Sequence, residues 1–292
     1  MSLHDKSLLV SLTLAGIAST RADKEITADV LSAQNAGADA GRWLSRRWPR
    51  EAMDPIRALD SQIRAHHYLK TLPWGEKGER IIASRTFTDY IADMRNFRYK
   101  RETLVQGFLD HYDDWIDQAR LMRGHLFKVS EYPTVHQARN RFRFELGAQP
   151  IPHRDDFRVS LAALDMEAIQ ISLDQKIRDA ELIARRDLYR RMAEPVCKLL
   201  ERLSDPDARF TDATLNALRE IVATLPDVNV LDDPEVELLR QSIEEQLCRL
   251  DPESITTSRS DRSRAAAKAN TILAKMAPWL DEVNLDEEEA AA

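Results

Sequence analysis

Apolar side chains recur every three or four residues between positions 161 and 203: Ile169, Leu173, Ile177, Ala180, Ala184, Leu188, Met192, Val196, Leu199 and Leu203. That period puts them on one face of a single long helix. Gln175, Lys176, Arg178, Asp179, Arg185, Arg186, Arg190 and Arg191 fill the other face. Glu181 stands four before Arg185, and Asp187 four before Arg191, an order worth about 0.2–0.5 kcal/mol per pair. Pro195 removes a backbone donor and is expected to kink or break the last two turns. A helix this long with one narrow apolar face does not fold alone. It needs a second long helix, from the same chain or from another copy.

The same period runs through Tyr90, Ile91, Met94, Phe97, Tyr99, Leu104, Phe108, Trp115, Ala119 and Met122. It predicts a second long helix over about 84–128, with Gly107 and Gly124 as weak points and 161–203 as its antiparallel partner. Elsewhere the period changes to two. Leu8, Val10, Leu12 and Leu14 alternate with polar residues, as do Phe142, Phe144 and Leu146, and Phe157, Val159 and Leu161. These runs predict three strands of a small antiparallel sheet. Shorter helices are expected from Asp23 toward Gly41, with 42–50 following and Pro49 as a stop, and from Asp54-Pro55 to Pro73. Others begin at Pro133, Asp212 and Asp233-Pro234, and a last one covers 265–280. The fold class is therefore mainly α (α+β): long antiparallel helices, a small antiparallel β-sheet in the N-terminal half, and a helical C-terminal region. In sequence order this gives a mixed basic–aromatic region over 1–160, a connecting helix over 161–203, a helical region over 204–280 and an acidic tail over 281–292.

Composition adds little to the fold but something to function. Among 292 residues there are 8 glycines, 7% aromatic and 31% charged side chains, which favours helices over a sandwich or barrel. Residues 1–160 carry 25 Lys and Arg against 21 Asp and Glu, whereas 161–292 carry 17 against 28. Only the first part suits an anionic partner. Cys197 and Cys248, both in helical stretches, point to a reduced chain and a cytoplasmic setting. The apolar run over 7–19 is short, lacks a basic flank and contains Ser11 and Thr13, so neither a signal peptide nor a membrane span is expected.

No metal, nucleotide or nucleophile motif is present, and no cofactor is expected. Gly75 and Gly78 flank Lys77 in an ordinary turn, too short to cradle phosphate. Asp110, Asp113, Asp114 and Asp117 share one helical face beside His111; as a solvated stripe they need no explanation, and as a metal site they lack ligands from another segment. Three basic–aromatic clusters carry more. They supply Arg42, Arg46, Arg47 and Arg50 beside Trp43 and Trp48; Arg95, Arg98 and Arg101 beside Phe97 and Tyr99; and Arg139, Arg141 and Arg143 beside Phe142 and Phe144. Guanidinium groups neutralise phosphates and exposed rings stack unpaired bases; the same residues also serve as core aromatics with a solvated flank. Arg259, Arg262, Arg264, Lys268 and Lys275 form a further basic strip ahead of the acidic tail.

Residues 66–97, with Leu72-Pro73-Trp74, Gly78 and Arg80, and a helix bearing Tyr90 and Met94, resemble a protein family of phages and mobile elements that has no assigned activity. Similar short runs are Asp23-Lys24-Glu25, residues 36–42, Phe157-Arg158-Val159, residues 203–210 and residues 251–254. The matching residues are turn and packing positions. The resemblance implies a phage or mobile-element origin and a location in the host cytoplasm. It also implies genes near MoxR-type AAA ATPases and von Willebrand A-type proteins. The expected function is a non-enzymatic interaction or assembly protein that self-associates or docks a partner, with an AAA ATPase as candidate. The alternative is sequence-tolerant nucleic-acid binding through the ten arginines above. No membrane partner is expected.

Overall fold

Of the helix starts that the sequence marks with an acidic or hydroxyl residue, those at Asp23, Thr134 and Asp233 form real caps, whereas Asp54 lies inside its helix and Asp212 is the first residue of its own. In the computed structural model, which describes residues 3–75, 78–153, 163–205, 208 and 210–280, the elements in order are α1 (Leu3–Lys6), β1 (Ser7–Ala15), β2 (Thr20–Asp23), α2 (Lys24–Ala33), β3 (Trp43–Arg46), α3 (Arg50–Lys70), β4 (Leu72–Pro73) and β5 (Arg80–Ala83). There follow α4 (Ser84–Asp110), α5 (Tyr112–Arg123), two 3-10 turns, α6 (Val135–Arg141), β6 (Arg143–Pro150), α7 (Ala163–Ser204), α8 (Asp212–Val228), α9 (Pro234–Gln246), α10 (Pro252–Thr257) and α11 (Arg259–Leu280). The Asp23 carboxylate accepts from the Ile26 N–H, and Asp233 accepts from Glu235 and Val236. Thr134 and Gln137 form a reciprocal capping box, satisfying donors that the first turn leaves unpaired.

The chain is mainly α with a small antiparallel sheet toward its N-terminal half. It divides into two compact units that interleave in sequence. Unit 1 comprises Met1–Ser11, Tyr68–Thr88 and Gly147–Ala292; unit 2 comprises Leu12–His67 and Asp89–Leu146.

Unit 1 is built on α7, whose 42 residues span about 63 Å at 1.5 Å per residue. From Ala180 onward its apolar stripe is buried within the chain: Ala184, Leu188, Met192, Val196, Leu199 and Leu203 join one core with α8, α9 and α11. Its most extensive partner is α11, so the packing differs from the expected pairing with the 84–128 helix, which belongs to unit 2 from Asp89 on. Ala180 and Ala184 on one helix and Ala265 and Ala269 on the other are all buried; small residues let two axes approach closely. The Tyr189 and Trp279 rings stack at 5.1 Å. Pro195 lies inside α7 and the helix runs through it without a break. Leu3, Leu9, Leu72 and Ile81 complete the same core.

The sheet order is β4-β5-β1-β6. Ser7 pairs with Ala83 and Val10 with Arg80, while Leu72 pairs with Ile81. β1 and β6 match the alternating runs of the sequence. β4 and β5 are additions, and the run at Phe157–Leu161 lies outside the described residues, as do Lys77 and the acidic tail.

Unit 2 closes around Trp48, which is fully buried. Its ring meets Tyr132 at 4.9 Å, Phe108 at 5.2 Å and Tyr112 at 5.4 Å, in the tilted and edge-on geometries that aromatic quadrupoles favour. Ala52, Met53 and Ile56 of α3 and Ala119 and Ala138 complete this second core. Residues 42–50, expected to follow the preceding helix, instead contain β3, which pairs antiparallel with β2 from Thr20–Arg46 to Asp23–Trp43. α3 begins at Arg50, ahead of Asp54-Pro55. The expected helix over 84–128 breaks at His111. The Nδ1 of His111 lies 3.1 Å from the Gly107 carbonyl, the acceptor an unbroken helix reserves for the backbone N–H of residue 111.

Candidate functional site

All ten arginines of the basic–aromatic clusters fall in unit 2, and the fold sorts them into three groups.

Two are structural. The Arg101 guanidinium, 4% exposed, donates to both oxygens of Asp60 at 2.6 and 3.3 Å and to the Ala15 carbonyl at 2.7 Å. Arg47 is buried, lies 5.6 Å from the Tyr132 ring centroid, and its carbonyl accepts from the Tyr132 hydroxyl at 2.7 Å. Burial pushes the Arg47 pKa down from its ordinary value, with Glu131 acting in the opposite sense. Glu131 is already shared by Arg21 and Arg123, at 2.5 and 2.7 Å. The expectation that Arg47 and Arg101 offer open charge to phosphate is therefore corrected: each is inside the fold, and Arg101 is matched by a carboxylate.

Four are exposed away from the hollows around Phe142. Arg42 borders α2, and Arg50 opens α3; neither has a hydrogen-bond or ion-pair partner among the described residues. Arg143 pairs loosely with Glu145 at 3.5 Å. Arg141 ends α6.

Of the remaining four, Arg46, Arg98 and Arg139 line hollows that Phe142 also lines. One hollow of about 590 Å³ is lined by Ala15, Gly16, Arg46, Asp60, Arg64 and Phe142, among others. Arg46 there is held by Asp54 at 3.1 Å. A second hollow, of about 260 Å³, is lined by Arg98, Arg101, Glu102, Arg139, Phe142 and Phe144, among others. Arg98 lies 4.9 Å from the Phe144 ring centroid and donates to the Phe144 carbonyl at 3.2 Å. Arg139 donates to the Gln106 side chain at 2.9 Å. Arg95 is exposed on α4; Tyr99, one turn further and expected on the apolar face, is 71% exposed instead, off the side that buries Tyr90, Met94 and Phe108. The structure thus brings Arg98 and Arg101 of the second cluster beside Arg139, Phe142 and Phe144 of the third, and leaves Arg141, Arg143 and most of the first elsewhere. Phe142 reaches this position because Gly16 gives it room; a Cβ built on Gly16 stands 3.1 Å from the ring.

A third hollow is of a different kind. It measures about 610 Å³ and is lined by Ala22, Ala28, Leu31, Ala36 and Ala38 of the β2–α2–β3 segment together with Asp23, Lys24, Thr27, Ser32 and Arg42. No residue of α2 is buried, and Val30, Trp43 and Leu44 of the same segment are 43%, 47% and 55% exposed. The sequence signal for this surface was the pair Trp43-Leu44, of which Trp43 was assigned to the basic cluster because of its arginine neighbours.

The other candidate groups have ordinary roles. The break at His111 separates Asp110 of α4 from Asp113, Asp114 and Asp117 of α5, and Asp110 accepts from Gln106. Among the described residues no three His, Cys, Asp or Glu side chains are grouped to hold a metal ion. His66 meets Asp93 at 3.1 Å and His67 meets the Tyr90 hydroxyl at 2.7 Å. Cys197 and Cys248 are free thiols, and burial raises the pKa of both, which lowers their nucleophilic fraction. On α11, Arg262 donates to the carbonyls of Asp205 and Ala208 and Arg264 to Asp261. No helix among the described residues is long and apolar enough to cross a membrane. Comparison with protein-family models, with curated proteins and with solved structures gave no match.

Proposed function

We propose that this chain is a non-enzymatic interaction protein of a phage or mobile element, which docks a protein partner through its β2–α2–β3 segment. One observation carries the reading: Val30, Trp43 and Leu44 stand exposed beside an apolar hollow of about 610 Å³ in a single short segment. Apolar surface left in water costs about 25 cal/mol per Å², and grouped exposure of this kind marks binding surfaces. Lys24 and Arg42 line the hollow with a single carboxylate, Asp23, whose oxygen caps α2, and this small positive excess suits a partner with acidic residues flanking its apolar contact. The partner class follows from the family resemblance, and it is a MoxR-type AAA ATPase.

The test is sedimentation of the purified chain with the MoxR-type ATPase of its own genome. The expected result is a complex that forms with the native chain and is lost with Leu44→Asp. Equal complex formation by the variant, or no complex with the native chain, overturns the reading.

A further inference from the structure

We propose that the α4 face from Arg95 to Gln106, together with Arg98 and Arg139, binds a single strand of nucleic acid without regard to base sequence. None of these residues belongs to the docking segment, so the two readings stand or fall separately.

The argument starts from Tyr99. At 71% it is the most exposed aromatic residue among those described, and its side chain has no partner among them. Positions 95, 99, 102 and 106 follow one another by three and four, so they share a helix face, and they cover about 16 Å of axis at 1.5 Å per residue. Arg95 is exposed and likewise without a partner among the described residues. Gln106, at the other end, orients Arg139 through a 2.9 Å hydrogen bond. Arg98 is stacked on Phe144, which fixes its plane while leaving further N–H groups to donate, since a guanidinium carries five. A tyrosine between arginines on a rigid helix is a stacking platform flanked by phosphate donors. A stacked base must be unpaired, so the face selects single strands over duplex. Glu102 is the carboxylate that lines the adjoining hollow with Arg98 and Arg139, Asp110 is engaged by Gln106 at the end of the face, and Arg101 is neutralised by Asp60. The site is therefore weakly basic and its affinity moderately salt-dependent.

The experiment is fluorescence anisotropy of a labelled oligothymidylate and of a duplex of equal length, from about 50 to 200 mM salt. The expected result is preference for the single strand, with log K falling against log salt at a slope of about −2 for three phosphates. Tyr99→Ala is expected to weaken binding roughly tenfold without changing the slope. Arg95→Ala and Arg139→Ala are each expected to make the slope shallower by about 0.7. Glu102→Gln is expected to tighten binding, and Arg50→Ala, off this face, to leave it unchanged. All five positions are exposed, and circular dichroism of each variant confirms that folding is intact. No binding at 50 mM salt, indifference to Tyr99→Ala, or equal displacement by polyglutamate of matched charge overturns the proposal; the last outcome assigns the face to an acidic peptide.

Discussion

Arg101 and Asp60 are 41 residues apart and meet at two points, 2.6 and 3.3 Å, with the arginine side chain 4% and the aspartate 14% exposed. The pair ties α4 to α3 inside unit 2. Removing one partner strands a buried charge, which costs about 3–5 kcal/mol. Arg101→Met is expected to destabilise by that amount in urea denaturation. Adding Asp60→Leu to it is expected to recover part of the loss, because no unpaired charge then remains.

Trp48 is the centre of the second core, and its indole N–H has no hydrogen-bond partner among the described residues. Trp48→Ala is expected to cost about 3–5 kcal/mol. Trp48→Phe keeps most ring contacts and removes a buried unsatisfied donor, so its thermal midpoint is expected far closer to that of the native chain.

Gly16 sets the position of Phe142, the side chain shared by both basic hollows. Gly16→Ala brings a Cβ to 3.1 and 3.2 Å of the ring and is expected to cost about 1–3 kcal/mol through overpacking. Phe142→Leu in the same chain is expected to relieve the clash. A double-mutant cycle on stability measures this as non-additivity.

Arg191 of α7 gathers three carbonyls, donating to Tyr68, Leu69 and Thr71 at 2.7, 3.0 and 2.6 Å, while Asp187 holds it at 2.8 Å. It closes the C-terminal end of α3, where carbonyls lack helical partners. Lysine keeps the charge but not the planar fork. Arg191→Lys is expected to cost roughly 1.5–3 kcal/mol, measured by chemical denaturation.

Tyr112 gives the chain an alkaline limit. Burial raises its pKa to about 12, and its hydroxyl donates to the Pro133 carbonyl at 2.6 Å. The unfolded chain ionises near pH 10 and the folded one later, so the unfolded state binds fewer protons in between. Stability is complete below about pH 10 and falls by about 1.4 kcal/mol per pH unit up to about pH 12. Tyr112→Phe is expected to flatten that part of the stability profile. Tyr189 of unit 1, raised by burial and by Asp233 and Glu235, adds its own decline.

The long helix was legible because its apolar period is unbroken for ten positions, and the caps at Asp23 and Asp233 because their chemistry is local. β5 was not, since four residues are too few to show alternation. β3 was hidden for another reason: Trp43 and Leu44 are both exposed, so the strand has no apolar–polar rhythm. The break after Asp110 was legible only as a weak point at Gly107, because its exact place goes with the His111 side chain reaching the Gly107 carbonyl. The fates of the arginines were the least legible. Arg47 and Arg98 have similar neighbours in sequence, yet one is buried beside Tyr132 and the other is exposed beside Phe144. What separates them is the distant segment that folds over each, which local pattern does not encode.

The interleaving of the two units bears on the order in which the chain can be made. Leu3 and Leu9 share their core with Met192, Leu218 and Met276, and Lys6 forms its ion pair with Asp232. During synthesis the first strand leaves the ribosome some 270 residues before α11 completes the core that strand belongs to. Loop closure on that scale is slow, because its entropy is lost before any contact is gained. β1, with five of its nine residues Leu or Val, has β5 to pair with once residues 80–83 are made, but its buried Leu9 must wait for the cover of α7, α8 and α11. Such a segment is a natural client for a holdase chaperone. Truncation from the C-terminus is then a lesion of the N-terminus as well.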